Sequence, residues 1–366
     1  MKSLNISVER TSAIYRQIER DLRARIESGS LAAGTPLPPA AEIARQAGVH
    51  VLTVQKALRK LKQDGLIDRT PRIGSFVRGP AQAPAIALLF GPSLSDEHTH
   101  FYRALMRTLQ ADSAGHWLPR VYDGLQFGGQ GQTPDPHNAF PALQKDSERI
   151  AFKGAIVSGI HSRSWERIPS LAPLPVAWLG RTDDGADLGF DFAHFTQTAL
   201  SWFAERQRRR VVYFRTFGNL AWARPDLEAF HAATARHGFE HAAVHDLDAL
   251  YQMTYREQEA FRQIAAVIRN WDRDGWPDAV LVSDDVVMRA VALALLKAPR
   301  RSEAPPLLLT LANEAVRLHY GLPTARYVIP TAYCARRLRE ILDSRMGGRN
   351  PPGLPERVRG TIAETE

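Results

Sequence analysis

From Ile14 the apolar positions Ile14, Ile18, Leu22 and Ile26 recur at every fourth residue, which places them on one face of a helix that ends at Gly29. Gly34, Pro36, Pro38 and Pro39 halt that pattern and redirect the chain, and a second, short helix begins near Pro39 with Ile43, Ala44 and Ala47 as its apolar face. Gly48 stands where a tight turn needs a residue tolerant of positive φ, and Val49 plugs that turn. A third helix follows over about residues 52–64, with Val54, Ala57, Leu58 and Leu61 inward and Thr53, Gln55, Lys56, Arg59, Lys60 and Lys62 outward or flanking. After Gly65 two β-prone runs, 66–69 and 75–78, are joined by residues 70–74 into a small hairpin. The pattern over 1–78 predicts a helix-turn-helix followed by a wing.

Residues 79–84 read Gly-Pro-Ala-Gln-Ala-Pro and have no periodic apolar face, which suits a linker of limited flexibility. From Ala85 the pattern changes. Short apolar runs at 85–90, 155–157, 176–179, 211–214, 279–282 and 307–311 alternate with helical stretches of about 12 to 18 residues, and that alternation predicts parallel sheets in an α/β domain over 85–366. The stretch 123–141, rich in Gly, Gln and Pro, is longer than an ordinary connection and reads as a flap or surface loop. Its Gly128, Gly129 and Gly131 lack the preceding strand and following helix of a phosphate-binding loop.

At 366 residues the chain has room for two or three domains, and 44% hydrophobic with 23% charged residues is the balance of a folded protein. No run reaches 18 apolar residues, so no membrane span is expected, and residues 1–10 lack the apolar core of a secretory signal, so the expected location is cytoplasmic. The single cysteine, Cys334, excludes an internal disulfide and any CxxC pair and reads as a small buried apolar residue. His98 and His100, beside Asp96 and Glu97, have no third convergent ligand, so neither a metal nor a cofactor is expected. Charge is unevenly spread: residues 1–80 carry 14 Lys and Arg against 7 Asp and Glu, while residues 81–366 carry 33 against 32. That concentration points to an anionic partner, most often nucleic acid, for the N-terminal module. A second basic cluster, Arg206, Arg208, Arg209 and Arg210, sits at a predicted helix end, where cations are favoured in any case.

The run YRQIERDLRARIESGSLAAGTPLP, followed by EIARQAGV, LTVQKALRKLKQDGLI and RIGSFV, resembles the winged helix of the GntR family of bacterial transcription regulators over about 65 residues. That family commonly carries arginines at the positions of Ala41, Val51 and Gln55, and this chain has none of the three. The resemblance therefore leaves His50, Thr53, Gln55 and Lys56 as candidates for base edges, Arg45, Arg59, Lys60 and Arg72 for the phosphate backbone, and Gly74 for the wing.

From Ala85, the segments AIALLF, FKGAIVSGI, LPVAWLGR, LGFDFAHFTQTALSWFAERQRRRVVYF, DAVLVSDDVVMRAVALAL and IPTAYCARRLREIL together resemble a LacI/GalR-type effector-binding domain, itself built like a periplasmic sugar-binding protein. The resemblance implies two Rossmann-like lobes, with crossings near 191, 327 and 349 and a small molecule held at the carboxyl ends of the strands. Asp285 matches a family aspartate that accepts hydrogen bonds from ligand hydroxyls, while Asp191 serves either the cleft or the cap of the next helix. Arg224 lies near a family arginine that forks onto the ligand, with a surface ion pair as the other reading. Trp222, Phe101 and Ser93 are candidates to stack on or bond to a sugar-like ring, or else ordinary loop residues.

Together the two resemblances imply a transcription regulator, in most relatives a repressor, that binds a palindromic operator in double-stranded DNA as a homodimer. A sugar or related metabolite would modulate that affinity. Residues 79–84 hold no hinge-helix sequence, so coupling is expected through the relative positions of the two winged helices across the dimer. The rivals are a cleft enzyme and a cytoplasmic small-molecule-binding protein with only non-specific DNA affinity. No P-loop, HExxH, GxSxG or CxxC occurs, and catalysis is not expected.

Overall fold

The computed structural model describes residues 14–32, 34–70, 74–78, 84–95, 99–112, 116–125, 140–160, 165–166, 168–216, 224–247, 256–298, 305–315 and 317–364. They fall into two compact units. The first holds the residues up to Leu188 together with Tyr333–Leu354, and the second holds Gly189–Ala332 together with the residues from Pro355 on.

The first unit begins with α1 (Ile14–Glu27), β1 (Pro36–Leu37), α2 (Ala40–Ala47), α3 (Val51–Gln63), β2 (Ile67–Thr70) and β3 (Gly74–Val77). Ile18 and Leu22 of α1 meet Ile43, Val54, Leu58, Leu61 and Ile67 in one cluster, with Ile14, Ile26 and Val49 partly buried at its edge. Each fully buried leucine or isoleucine contributes about 2 kcal/mol, and three helices this short depend on that packing because none would persist alone in water. Gly48 takes φ +63°, and the Val49 N–H closes the turn on the Ala44 carbonyl at 3.0 Å. The three strands order as β1-β3-β2, antiparallel, with Ile67 opposite Val77 and Pro36 opposite Phe76.

The rest of the first unit contains β4 (Ala85–Phe90), α4 (His100–Asp112), β5 (Leu118–Asp123), α5 (Pro141–Ser147), β6 (Phe152–Ser158) and β7 (Val176–Leu179), and its boundary with the second falls within β8 (Leu188–Phe190). The parallel order β5-β4-β6-β7-β8 puts β4 inside the sheet, and all six of its residues are buried. Leu89, Val157, Tyr122 and Trp178 share its core. A side-chain tie links this sheet to the wing: Asp68 Oδ1 on β2 accepts from Arg78 Nη2 at 2.9 Å, from Arg78 Nε at 3.1 Å and from Arg120 Nη1 on β5 at 3.1 Å.

The second unit contains α6 (Phe192–Glu205), β9 (Arg210–Arg215), α7 (Arg224–Arg236), β10 (His241–Asp246), α8 (Arg256–Asp274), β11 (Ala279–Val282), α9 (Asp285–Lys297), β12 (Leu307–Asn313) and β13 (Thr324–Ile329). Then come α10 (Thr331–Met346), most of which lies in the first unit, β14 (Glu356–Val358) and β15 (Thr361–Ala363). Its sheet orders as β10-β9-β11-β12-β13-β15, parallel except for β15. Phe214, Ile264, Val280, Val282, Val291 and Leu295 form the core. Tyr327 is fully buried inside β13, opposite Ile362, so the chain leaves this sheet only after that strand has ended. Cys334 is buried in α10. No helix among the described residues is long and apolar enough to cross a membrane.

Candidate functional site

The outer face of α3 is built by helical spacing: Leu52, Lys56 and Arg59 are all exposed, three and four residues apart, opposite the buried Val54, Leu58 and Leu61. His50 is the N-cap, its Nδ1 accepting the Leu52 N–H at 3.3 Å while its carbonyl accepts the Thr53 N–H at 2.9 Å. Lys56 Nζ lies 4.1 Å from the centre of the Tyr15 ring on α1, a cation–π contact that aligns the ammonium. Arg16 Nε donates to the Tyr15 hydroxyl at 3.2 Å and lowers its pKa from the ordinary value. Sequence reasoning missed Tyr15 and Arg16, because only the crossing of α1 over α3 brings them to this face.

Other candidates at this end are already partnered or turned aside. Arg45 pairs with Glu42 at 2.6 Å and Lys60 with Asp64 at 2.8 Å, and Thr53 and Gln55 are half-buried. Gly74 opens β3 with φ +136°, a backbone that a side chain would strain, and Arg72 lies outside the described residues.

In the α/β part of the first unit, Asp123 at the end of β5 organises the loop after β4. Its Oδ2 accepts from the Leu94 N–H at 2.6 Å and from Ser93 Oγ at 3.4 Å. Gly91 is obligatory there, since a Cβ would lie 2.1 Å from the Gly159 carbonyl oxygen. Phe101 on α4 is half-buried, edge-on to Tyr102 at 5.4 Å between ring centres. His100 Nδ1 is 2.9 Å from Arg103 Nη2, and His98 lies outside the described residues.

In the second unit the carboxyl ends of the central strands collect polar groups. Asp284 caps α9, accepting from the Val286 and Val287 N–H groups at 2.9 and 3.1 Å, so the capping function falls to it and not to its neighbour. Asp285 begins the helix proper, and its Oδ2 accepts from Asn313 Nδ2 at 3.4 Å. Burial, followed by the Asp284 charge, raises the Asp285 pKa well above the usual carboxylate range, against the opposing pull of Arg326. The Tyr320 hydroxyl, Arg326 Nε and Thr331 Oγ1 are buried without a hydrogen-bond partner in the structure. Groups of this kind are costly to leave unsatisfied and fit a hydroxyl-bearing ligand.

Asp191 is the N-cap of α6. Its Oδ1 accepts from the His194 N–H at 3.0 Å and its Oδ2 from Arg359 Nε at 2.9 Å. His194 Nδ1 meets the Tyr327 hydroxyl at 2.7 Å, and burial, then Arg359, lowers the His194 pKa. Arg224 is the exposed first residue of α7, and Trp222 lies outside the described residues. The buried cation nearby is Arg215 at the end of β9: its Nε sits 3.1 Å from Asp226 Oδ2 and its Nη1 3.5 Å from Asp246 Oδ1. Thr196 and Tyr213 also donate to Asp226, and burial pushes that carboxyl up to about 6.

Residues 14–77 match the family model for bacterial regulatory proteins of the gntR family. This segment is a gntR-family domain. Over 83 residues the chain is 36% identical to the HTH-type transcriptional repressor NagR of Bacillus subtilis, covering 23% of this chain and 34% of that one. Over 105 residues it is 29% identical to the histidine utilization repressor of Pseudomonas aeruginosa, covering 28% of this chain and 41% of that one. The chain thus spans less than half of either relative. The LacI family transcriptional regulator from Arthrobacter sp. FB24, in complex with lactose, superposes with a TM-score of 0.57 at 16% identity, over 78% of this chain and 98% of that one. At such identity the likeness shows the fold alone: a gntR-type winged helix is followed by a two-sheet α/β domain whose fold is similar to that regulator's.

Proposed function

We propose that this protein is a ligand-responsive transcription regulator, a repressor by analogy with NagR and the histidine utilization repressor. It acts as a dimer on a two-fold operator, through a DNA-binding domain over 1–78, a linker over 79–84 and an effector domain over 85–366. The carrying observation is the exposed, cation-bearing α3 of a gntR domain on the same chain as an α/β domain of LacI fold. Lys56 and Arg59, with Arg16 beside them, supply phosphate contacts, and Arg45 and Lys60 join only by leaving Glu42 and Asp64.

The effector is a carbohydrate or related polyhydroxylated metabolite, as the lactose complex of the structural neighbour supports. Asn313, Arg326 and Tyr320 are its strongest contacts, because each has a buried polar atom without a partner, and Asp285 joins them through the bond its Oδ2 accepts from Asn313. Asp191 enters the site with its carboxylate already held by Arg359, while Ser93 lies in the loop after β4 and Phe101 on α4 of the first unit. Catalysis forms no part of the reading, since the relatives are regulators by name.

The test is to incubate the purified protein with fragmented DNA from its own source at moderate salt and sequence what is retained. An enriched palindrome supports the reading, and its neighbouring genes nominate the sugars to add next. Uniform, salt-sensitive recovery with and without sugars would leave the small-molecule-binding or enzymatic alternative.

A further inference from the structure

We infer that Leu52, with the His50 side chain, selects a thymine in each half-site by its 5-methyl group, a specificity determinant that rests on the DNA-binding reading above. An exposed leucine is ordinary in itself, but this one is 64% exposed, ahead of Leu293 at 44% and Leu296 at 51%, and these are the exposed large apolar side chains among the described residues. It is the second residue of α3, in the first turn of a recognition helix, where side chains meet base edges in the major groove.

The chemistry of that turn is narrow. Residues 51–58 read Val-Leu-Thr-Val-Gln-Lys-Ala-Leu, so no guanidinium on the first two turns can fork onto guanine O6 and N7. Buried Val54, Ala57 and Leu58 face the core. His50 spends Nδ1 accepting the Leu52 N–H, which places the ring proton on Nε2 and leaves that nitrogen as a donor. A donor and a branched apolar group two residues apart complement the one base that offers an acceptor, O4, beside a methyl group. Gln55, one turn on, suits the adenine of an A·T pair. The occupant is duplex DNA because Lys56 and Arg59 lie on the same exposed face, in a segment whose charge balance is strongly positive.

The experiment uses the full chain and the operator recovered by selection, replacing each thymidine in turn by deoxyuridine, which removes the methyl group and nothing else. At one position per half-site we expect a loss of roughly fourfold or more in affinity, the scale of one buried methyl group. Leu52→Ala should bind the parent operator more weakly by a similar factor and be indifferent to deoxyuridine at that position. The inference is overturned if every deoxyuridine duplex binds like its parent. It also fails if Leu52→Ala weakens both duplexes equally, or if it alters self-association while methyl removal has no effect. Should Leu52→Ala misfold, the deoxyuridine series on the unaltered protein decides alone. Absence of any enriched DNA would be a different failure, sinking the regulator reading and this inference with it.

Discussion

The winged helix and the second unit use the same ion pairs for opposite ends. Glu42–Arg45 and Asp64–Lys60 lie on the surface, where water and salt screen them. Arg215 and Asp226 are 1% and 2% exposed and enclosed by Thr196, Tyr213 and Asp246. The surface pairs are exchangeable, so their cations remain available to a phosphate. The interior pair is committed, and its purpose is to fix β9 against the start of α7.

Removing one interior partner should give the largest effect. Asp226→Ala leaves the buried Arg215 charge with Asp246 alone, 3.5 Å from its Nη1, with an expected loss of about 3 kcal/mol in unfolding free energy. Denaturant titration followed by tryptophan fluorescence checks it, and a loss below about 1 kcal/mol would break the comparison.

Acidity separates the two regions by sign. Asp226 titrates near 6 in the folded chain, above its ordinary value, so between roughly pH 4 and 6 the folded state holds more protons than the unfolded one. Its contribution is fully present below about pH 4 and is lost as pH rises through 6. Glu42 and Asp64, both lowered, chiefly by Arg45 and Lys60, contribute above their ordinary values and lose that contribution on acidification. Hydrogen exchange resolved by segment should therefore show α7 loosening from pH 4 to 6.5 while α2 and the end of α3 hold. The same trend in both segments would erase the distinction.

Smaller effects sharpen the picture of the surface. Lys56→Ala should weaken DNA binding about equally on all sequences and reduce the slope of affinity against salt by about one. Tyr15→Leu should do part of the same without touching a charge, because it removes the ring that holds the ammonium. Smallest of all, Glu42→Gln should leave the melting temperature within about a degree in a thermal scan.

The sequence made the winged helix legible because its signals are local: Ile14, Ile18, Leu22 and Ile26 share a face, Gly48 marks the turn, and α3 lies within a residue of its expected limits. In the α/β domain the fully apolar β4, β7 and β11 coincide with their runs. β5 carries Pro119 and Arg120, edge strand β10 is largely exposed, and β13 buries Thr324 and Arg326, so none of the three announces itself as an apolar run. The polar constellations were less readable still. Arg215 and Asp226 come from a strand and a helix eleven residues apart, a spacing with no meaning until both are folded, while Arg224, the conspicuous arginine, points to solvent.

The tie at Asp68 bears on how two such winged helices would grip one operator. With Arg78 of the wing and Arg120 of the sheet sharing a single carboxylate oxygen, the winged helix is held to a frame rather than left to swing from its tether. In a dimer the second winged helix would then meet its half-site at an effective concentration set by that frame, not by the reach of a free chain. Operator halves moved one or two base pairs apart should accordingly lose affinity steeply, and Arg120→Ala should make the protein more forgiving of spacing even as it binds the best operator less well.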